Sequence, residues 1–139
     1  VNRLHFQLAK IDALEAGYDD VIWLDQNGYV SEGPASNIFV VKQGKIFTPS
    51  EGILRGITRQ TFVDLASQEG IEHRECQVST FDLHTADEIF TTSTAGGALP
   101  IREVGGCKLK FEAPGPITKR LDEMYWKLRD SAEFGTPVY

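Results

Sequence analysis

Ser31-Glu32-Gly33-Pro34-Ala35-Ser36-Asn37-Ile38-Phe39 (SEGPASNIF) lies between two turn signals. Asp25-Gln26-Asn27-Gly28 precedes it and Gln43-Gly44 follows it. A half-buried strand alternates apolar and polar residues. This stretch instead sets Glu32 beside Gly33 and Pro34, then runs on through Asn37, Ile38, Phe39, Val40 and Val41. Asn-Gly is a strong hairpin signal. The segment therefore predicts short strands joined by tight turns: Val21–Leu24 as a buried strand, Tyr29–Glu32, Asn37–Val41 and Lys45–Thr48, ended by Pro49. Consecutive hairpins make neighbouring strands antiparallel.

Helices enclose this run. Asn2 to Ala16 carries Leu4, Leu8, Ile11 and Leu14 at helical spacing, with Gly17 as a plausible C-cap. A chain that opens inside a helix predicts a piece cut from something longer. Gly52–Thr58 reads as a loop, and a helix from Arg59 to about Glu69 turns Phe62, Val63, Leu65 and Ala66 inward. Glu72–Val78 is a strand, and Ser79 or Thr80 caps a short helix to about Thr85. Glu88–Thr92 is a strand broken by Ser93–Gly97. Leu99–Val104 and Cys107–Phe111 pair around Gly105-Gly106. Pro116 opens a last helix that buries Ile117, Leu121, Met124, Tyr125 and Leu128. This order predicts an α+β fold in one domain, residues 1–139. Its sheet is mixed, largely antiparallel and curved, a pseudo-barrel with helices packed outside.

The 139 residues carry 14 basic and 20 acidic side chains, a net charge of -6, which argues against a nucleic-acid partner. No apolar run reaches membrane-spanning length, and the opening VNRLHFQLAK does not read as a signal peptide. Cys76 and Cys107 lack metal spacing, as do His5, His73 and His84, so no metal is expected; a Cys76–Cys107 disulfide is open but unsupported, which leaves a reducing cytoplasm as the expectation. No P-loop, dinucleotide fingerprint or nucleophile elbow is present.

Three local features can carry chemistry. Gly56-Ile57-Thr58 precedes a helix between Arg55 and Arg59. Its N–H groups and the Thr58 hydroxyl suit a phosphate, and Thr58 equally suits a plain N-cap. Ser93-Thr94-Ala95-Gly96-Gly97 leaves a strand with two hydroxyls and little bulk, as a ligand-facing turn or an ordinary loop does. Glu32 is either a solvated acid near a turn or the partner of a buried cation. A carboxylate facing a heteroaromatic nitrogen keeps that nitrogen protonated.

Their order along the chain is specific. Tyr29-Val30-Ser31-Glu32-Gly33, Asn37-Ile38-Phe39, Phe47-Thr48-Pro49, Leu54-Arg55-Gly56-Ile57-Thr58-Arg59, Ala86-Asp87-Glu88-Ile89-Phe90 and Thr94-Ala95 follow one another. Together they resemble the large, C-terminal domain of the class IV (fold-type IV) aminotransferases, which use pyridoxal 5′-phosphate (PLP). The group includes branched-chain, D-amino acid and (R)-selective amine transaminases. The resemblance implies that Glu32 meets the pyridine nitrogen and Leu54 packs on the ring. It implies that Gly56, Ile57, Thr58 and Thr94 hold the phosphate, and that Thr94 and Ala95 meet the substrate carboxylate. Asn2 and Leu4 resemble the helix after the Schiff-base lysine. That lysine is expected just upstream of Val1, and Lys10 does not match it. The implied reaction moves an amino group from a branched-chain amino acid or amine to a 2-keto acid, in a homodimer. A lyase like aminodeoxychorismate lyase, or a catalytically silent cofactor-binding fragment, are the alternatives. Ser93–Gly97, Leu99-Pro100, Pro114–Thr118 and Thr136–Tyr139 look most like the (R)-amine transaminases. Branched-chain enzymes more often carry an acid where Gly97 stands.

Overall fold

The computed structural model describes residues 4–131, so Asn2 and Thr136–Tyr139 lie outside the described residues. The elements run α1 (Leu4–Glu15), β1 (Glu32–Gly33), β2 (Ser36–Lys42), β3 (Lys45–Pro49), α2 (Ile57–Gln68), β4 (His73–Cys76), α3 (Thr80–His84), β5 (Glu88–Ser93), β6 (Gly97–Ile101), β7 (Glu103–Val104), β8 (Cys107–Lys108) and α4 (Pro116–Asp130). The main sheet has the order β4-β3-β2-β5-β6, with β1 added to β2, and β7-β8 is a separate hairpin. Pairing is antiparallel except between β3 and β4. The fold is thus α+β with an antiparallel-dominated sheet. The described strands leave it open, with β4 and β6 at its edges and no closed barrel.

The apolar run of β2 is continuous because both of its faces are covered. Phe39 and Val41 face α2 and α4, while Ile38 and Val40 face the opposite layer. On the first face Phe39 pairs with Phe90, their rings stacked 4.9 Å apart. Phe62 of α2 tilts onto both, and Tyr125 of α4 stacks on Phe62 at 5.2 Å. The second face holds Ile38, Val40 and Ile89 with Val30, Val78, Leu83 and Ala86. Each of the buried Val, Leu, Ile and Phe side chains contributes about 1.5–3 kcal/mol by leaving water.

Several boundaries differ from the sequence expectation. Val21–Leu24 forms no buried strand: it makes one bridge, Leu24 to Val30, and Leu24 is 45% exposed. Val30 N–H bonds to Val78 O at 2.8 Å, on the side away from this segment. The Asn27-Gly28 turn is a three-residue loop closed by Asp25 N–H to Tyr29 O at 2.7 Å. The Asp25 carboxylate accepts from Asn27 N and Tyr29 N, and Gly28 alone takes the left-handed φ, +84°. The two-residue turn with both centres left-handed occurs at Gln43 (φ 51°) and Gly44 (φ 74°). Arg102 divides the predicted Leu99–Val104 strand in two, its carbonyl taking Leu109 N–H at 3.1 Å. α2 starts at Ile57, two residues before the expected Arg59. The predicted apolar stripe of α1 exists but is not buried: Leu4, Leu8, Ile11 and Leu14 are each at least 50% exposed.

α4 meets the sheet through a carboxylate. Glu88, 4% exposed, accepts from Ile117 N, Thr118 N and Thr118 Oγ1, which fills the helix's positive end. Gly115 is the only residue type that fits before it, because a Cβ there would run into this carboxylate.

Candidate functional site

SEGPASNIF anchors the loop that launches α2. The Ser31 hydroxyl donates to Gly52 O, Glu32 Oε2 accepts from Leu54 N at 2.8 Å, and Asn37 Nδ2 donates to Leu54 O at 2.8 Å. Pro34-Ala35 turns the chain so that Glu32 pairs with Asn37, and Asn37 pairs in turn with Thr92. Directly paired residues share a face. Glu32, Asn37 and Thr92 therefore form one row across three strands, toward the start of α2. Glu32 is half-buried and accepts from Leu54 N–H. Its other oxygen has no partner among the described residues.

The N-cap of α2 is Gly56 (φ -67°, ψ 143°), and no side chain caps the helix. A Cβ on Gly56 would come within 2.6 Å of Asn37 Oδ1, so glycine keeps the loop close to the sheet. Thr58 is inside the first turn, 7% exposed, and is not the N-cap. Its Oγ1 lies 3.4 Å from Thr94 Oγ1, near enough for both hydroxyls to bind one anion. Thr92, in the Glu32–Asn37 row, is 2% exposed, and its hydroxyl has no partner among the described residues. Backbone N–H groups and two converging hydroxyls suit a phosphate. Leu54 (63% exposed) and Ile57 (86% exposed) add apolar surface at the rim, suited to a flat ring.

The flanking arginines behave differently from one another. Arg59 is 2% exposed and faces inward, donating to Pro49 O at 3.0 Å and Glu75 at 2.7 Å. It ties α2 to the ends of β3 and β4, and holds the Glu75 carboxyl below its ordinary pKa through that hydrogen bond. Arg55 stays exposed. The Thr94–Ala98 turn is gripped from α4: Arg129 Nη1 donates to Thr94 O at 3.1 Å, and Asp122 accepts from Ala98 N at 2.8 Å. Sequence reasoning missed Asn37, Thr92, Asp122 and Arg129. The pairing register makes the first two visible, while the α4 residues carry no local signal.

Among the described residues no cluster of His, Cys, Asp or Glu is arranged to hold a metal. No described helix is long and apolar enough to cross a membrane.

Known proteins share this fold. A probable branched-chain-amino-acid aminotransferase of Aquifex aeolicus is 43% identical over 140 residues, which is 95% of this chain and 45% of its own length. The crystal structure of Escherichia coli branched-chain amino acid aminotransferase superposes with a TM-score of 0.89 at 39% identity, over 96% of this chain and 47% of that one. The PLP-bound holo-form of the Thermobaculum terrenum branched-chain enzyme gives 0.88 at 37% identity, over 91% and 42%. The chain thus spans a little under half the length of these relatives. Residues 1–104, which include the capless start of α2, the Glu32 row and Thr94, match the model of amino-transferase class IV, and the chain belongs to that family.

Proposed function

We propose that residues 1–139 are the C-terminal, cofactor-binding domain of a PLP-dependent aminotransferase that uses branched-chain amino acids. The observation that carries this is the start of α2, a helix end without a side-chain cap where the Thr58 and Thr94 hydroxyls lie 3.4 Å apart. The branched-chain substrate class rests on the relatives that the chain matches.

When bound, PLP supplies an electron sink for the substrate carbon. The residues of this chain hold it in place. Ile57 and Thr58 N–H groups, with the Thr58 and Thr94 hydroxyls, take the phosphate on the positive end of α2. Gly56 brings that end close to the sheet. Leu54 backs the ring. The free oxygen of Glu32 holds a proton on the ring nitrogen, while Leu54 N–H fixes the carboxylate's aim. Thr94 and Ala95 take the substrate carboxylate. The lysine that carries PLP comes from sequence preceding residue 1, and the assembly is a cytoplasmic homodimer.

The test is the full-length protein prepared with PLP. A visible absorption band that borohydride abolishes is expected, together with amino transfer from leucine to 2-oxoglutarate. Glu32→Ala lowers transfer by at least about a hundredfold, since the ring nitrogen loses its proton-holding partner. An unmodified protein without the band contradicts the proposal.

A further inference from the structure

We infer that Arg129, on the last turn of α4, is a positioning residue that aims the Ala95 N–H into the site and sets its strength as a donor to the substrate carboxylate. This rests on the aminotransferase reading and adds to it a residue outside the cofactor cradle.

The Thr94–Ala95 peptide is trans, so its C=O and N–H point in opposite directions. Arg129 Nη1 holds the Thr94 carbonyl at 3.1 Å from the α4 side. The Ala95 N–H is thereby turned away from α4, and it makes no hydrogen bond among the described residues. Ala95 itself is exposed. The next amide is already used, Gly96 N donating to Ser93 Oγ at 3.2 Å. The turn therefore leaves the Ala95 amide free beside the Thr94 hydroxyl. A cation on the carbonyl of the same peptide polarises it and makes its N–H a better donor to an anion.

Arg129 is itself held. Its guanidinium lies 4.9 Å from the centre of the Trp126 ring, a cation–π contact. Trp126 packs edge-on against Tyr125 at 5.5 Å, and Tyr125 stacks on Phe62, one helical turn beyond Thr58. Two turns before Arg129, Asp122 holds the far end of the same loop through Ala98 N. A side chain at Gly97 would come within 2.6 Å of Asp122 and 3.0 Å of Trp126 Nε1, so this loop lies against α4 with no room between them. One helix thus sets both ends of the turn while resting on the helix that receives the phosphate.

The experiment uses the full-length protein loaded with PLP and measures the dissociation constant of 4-methylpentanoate, an unreactive carboxylate of branched-chain size. Its neutral amide is the control ligand. Arg129→Met removes the donor and keeps a side chain over Trp126. It is expected to weaken the carboxylate about tenfold, the effect of one hydrogen bond to a charged group. Affinity for the amide and for PLP stays within about twofold. Arg129→Lys recovers most of the carboxylate affinity. Unchanged carboxylate binding in Arg129→Met, or parallel losses of carboxylate, amide and PLP, would overturn the inference. A missing cofactor band in the unmodified protein is a separate result: it removes the aminotransferase reading and this role with it.

Discussion

Helices α4 and α2 both begin after a glycine in extended conformation, and neither has a side-chain cap of its own. Their positive ends are treated differently. At α4 the protein supplies the anion: Glu88 reaches from β5 and takes two N–H groups and the Thr118 hydroxyl. At α2 no carboxylate arrives among the described residues. Glu32, the acid in the neighbouring strand row, bonds instead to Leu54 N, and the buried Arg59 turns inward to Glu75. The short α3 is a third case, capped within itself by Ser79 and Asp82. A helix end filled from inside serves stability, whereas one bordered by hydroxyls and, among the described residues, without an anion of its own suits an external one.

The largest expected effect breaks the α4 side. Glu88→Ala strips a buried carboxylate from three donors and costs about 3 kcal/mol, read from urea unfolding. Gly115→Ala moves the same way, since the new methyl displaces Glu88. At α2 the change lies in binding. Thr58→Val costs about 1 kcal/mol or less, because the hydroxyl's partner is another hydroxyl at 3.4 Å, yet weakens a phosphate ligand about tenfold. Equal stability losses at the two helices would erase the distinction between them. The smallest effect is at α3. Burial pushes the Asp82 carboxyl up, but its bonds to the Ser79 hydroxyl and N–H, with the charge of Lys42, outweigh that and leave the pKa lowered. A lowered folded-state pKa means stability that is present above the ordinary carboxylate range and lost as pH falls through the folded value. Asp82→Asn should therefore cost about 0.5–1 kcal/mol at neutral pH and flatten the acid limb of the stability curve. An acid limb of unchanged steepness would remove Asp82 from that role.

The strands that follow SEGPASNIF, β2 and β3, and both core helices were legible because periodicity and turn residues act locally, whereas the predicted Val21–Leu24 and Tyr29–Glu32 strands come down to one bridge and the two-residue β1. Phe62, Val63, Leu65 and Ala66 are buried as their spacing predicts. The same spacing in α1 predicts a stripe just as clearly, yet Leu8 and Ile11 remain half exposed, because a pattern does not say what covers it. Glu32 shows the opposite limit. Local chemistry leaves it either a solvated acid or a cation partner, and only the pairing with Asn37 and the distant Leu54 N–H aims it. Thr92 and Arg129 take their roles from register and from a helix some thirty-five residues away, which the order of residues alone does not disclose.

The central claim is that α2, and not α4, receives the phosphate. Amide NMR of the isotope-labelled protein, titrated with pyridoxine 5′-phosphate and then with pyridoxine, addresses it directly. Neither ligand has an aldehyde to react with lysines. Saturable shifts at Gly56, Ile57, Thr58 and Thr94 with the phosphorylated ligand, absent with pyridoxine and weakened by Thr58→Val, are the predicted result. Shifts at Ile117 and Thr118 instead, or identical responses to both ligands, would contradict it.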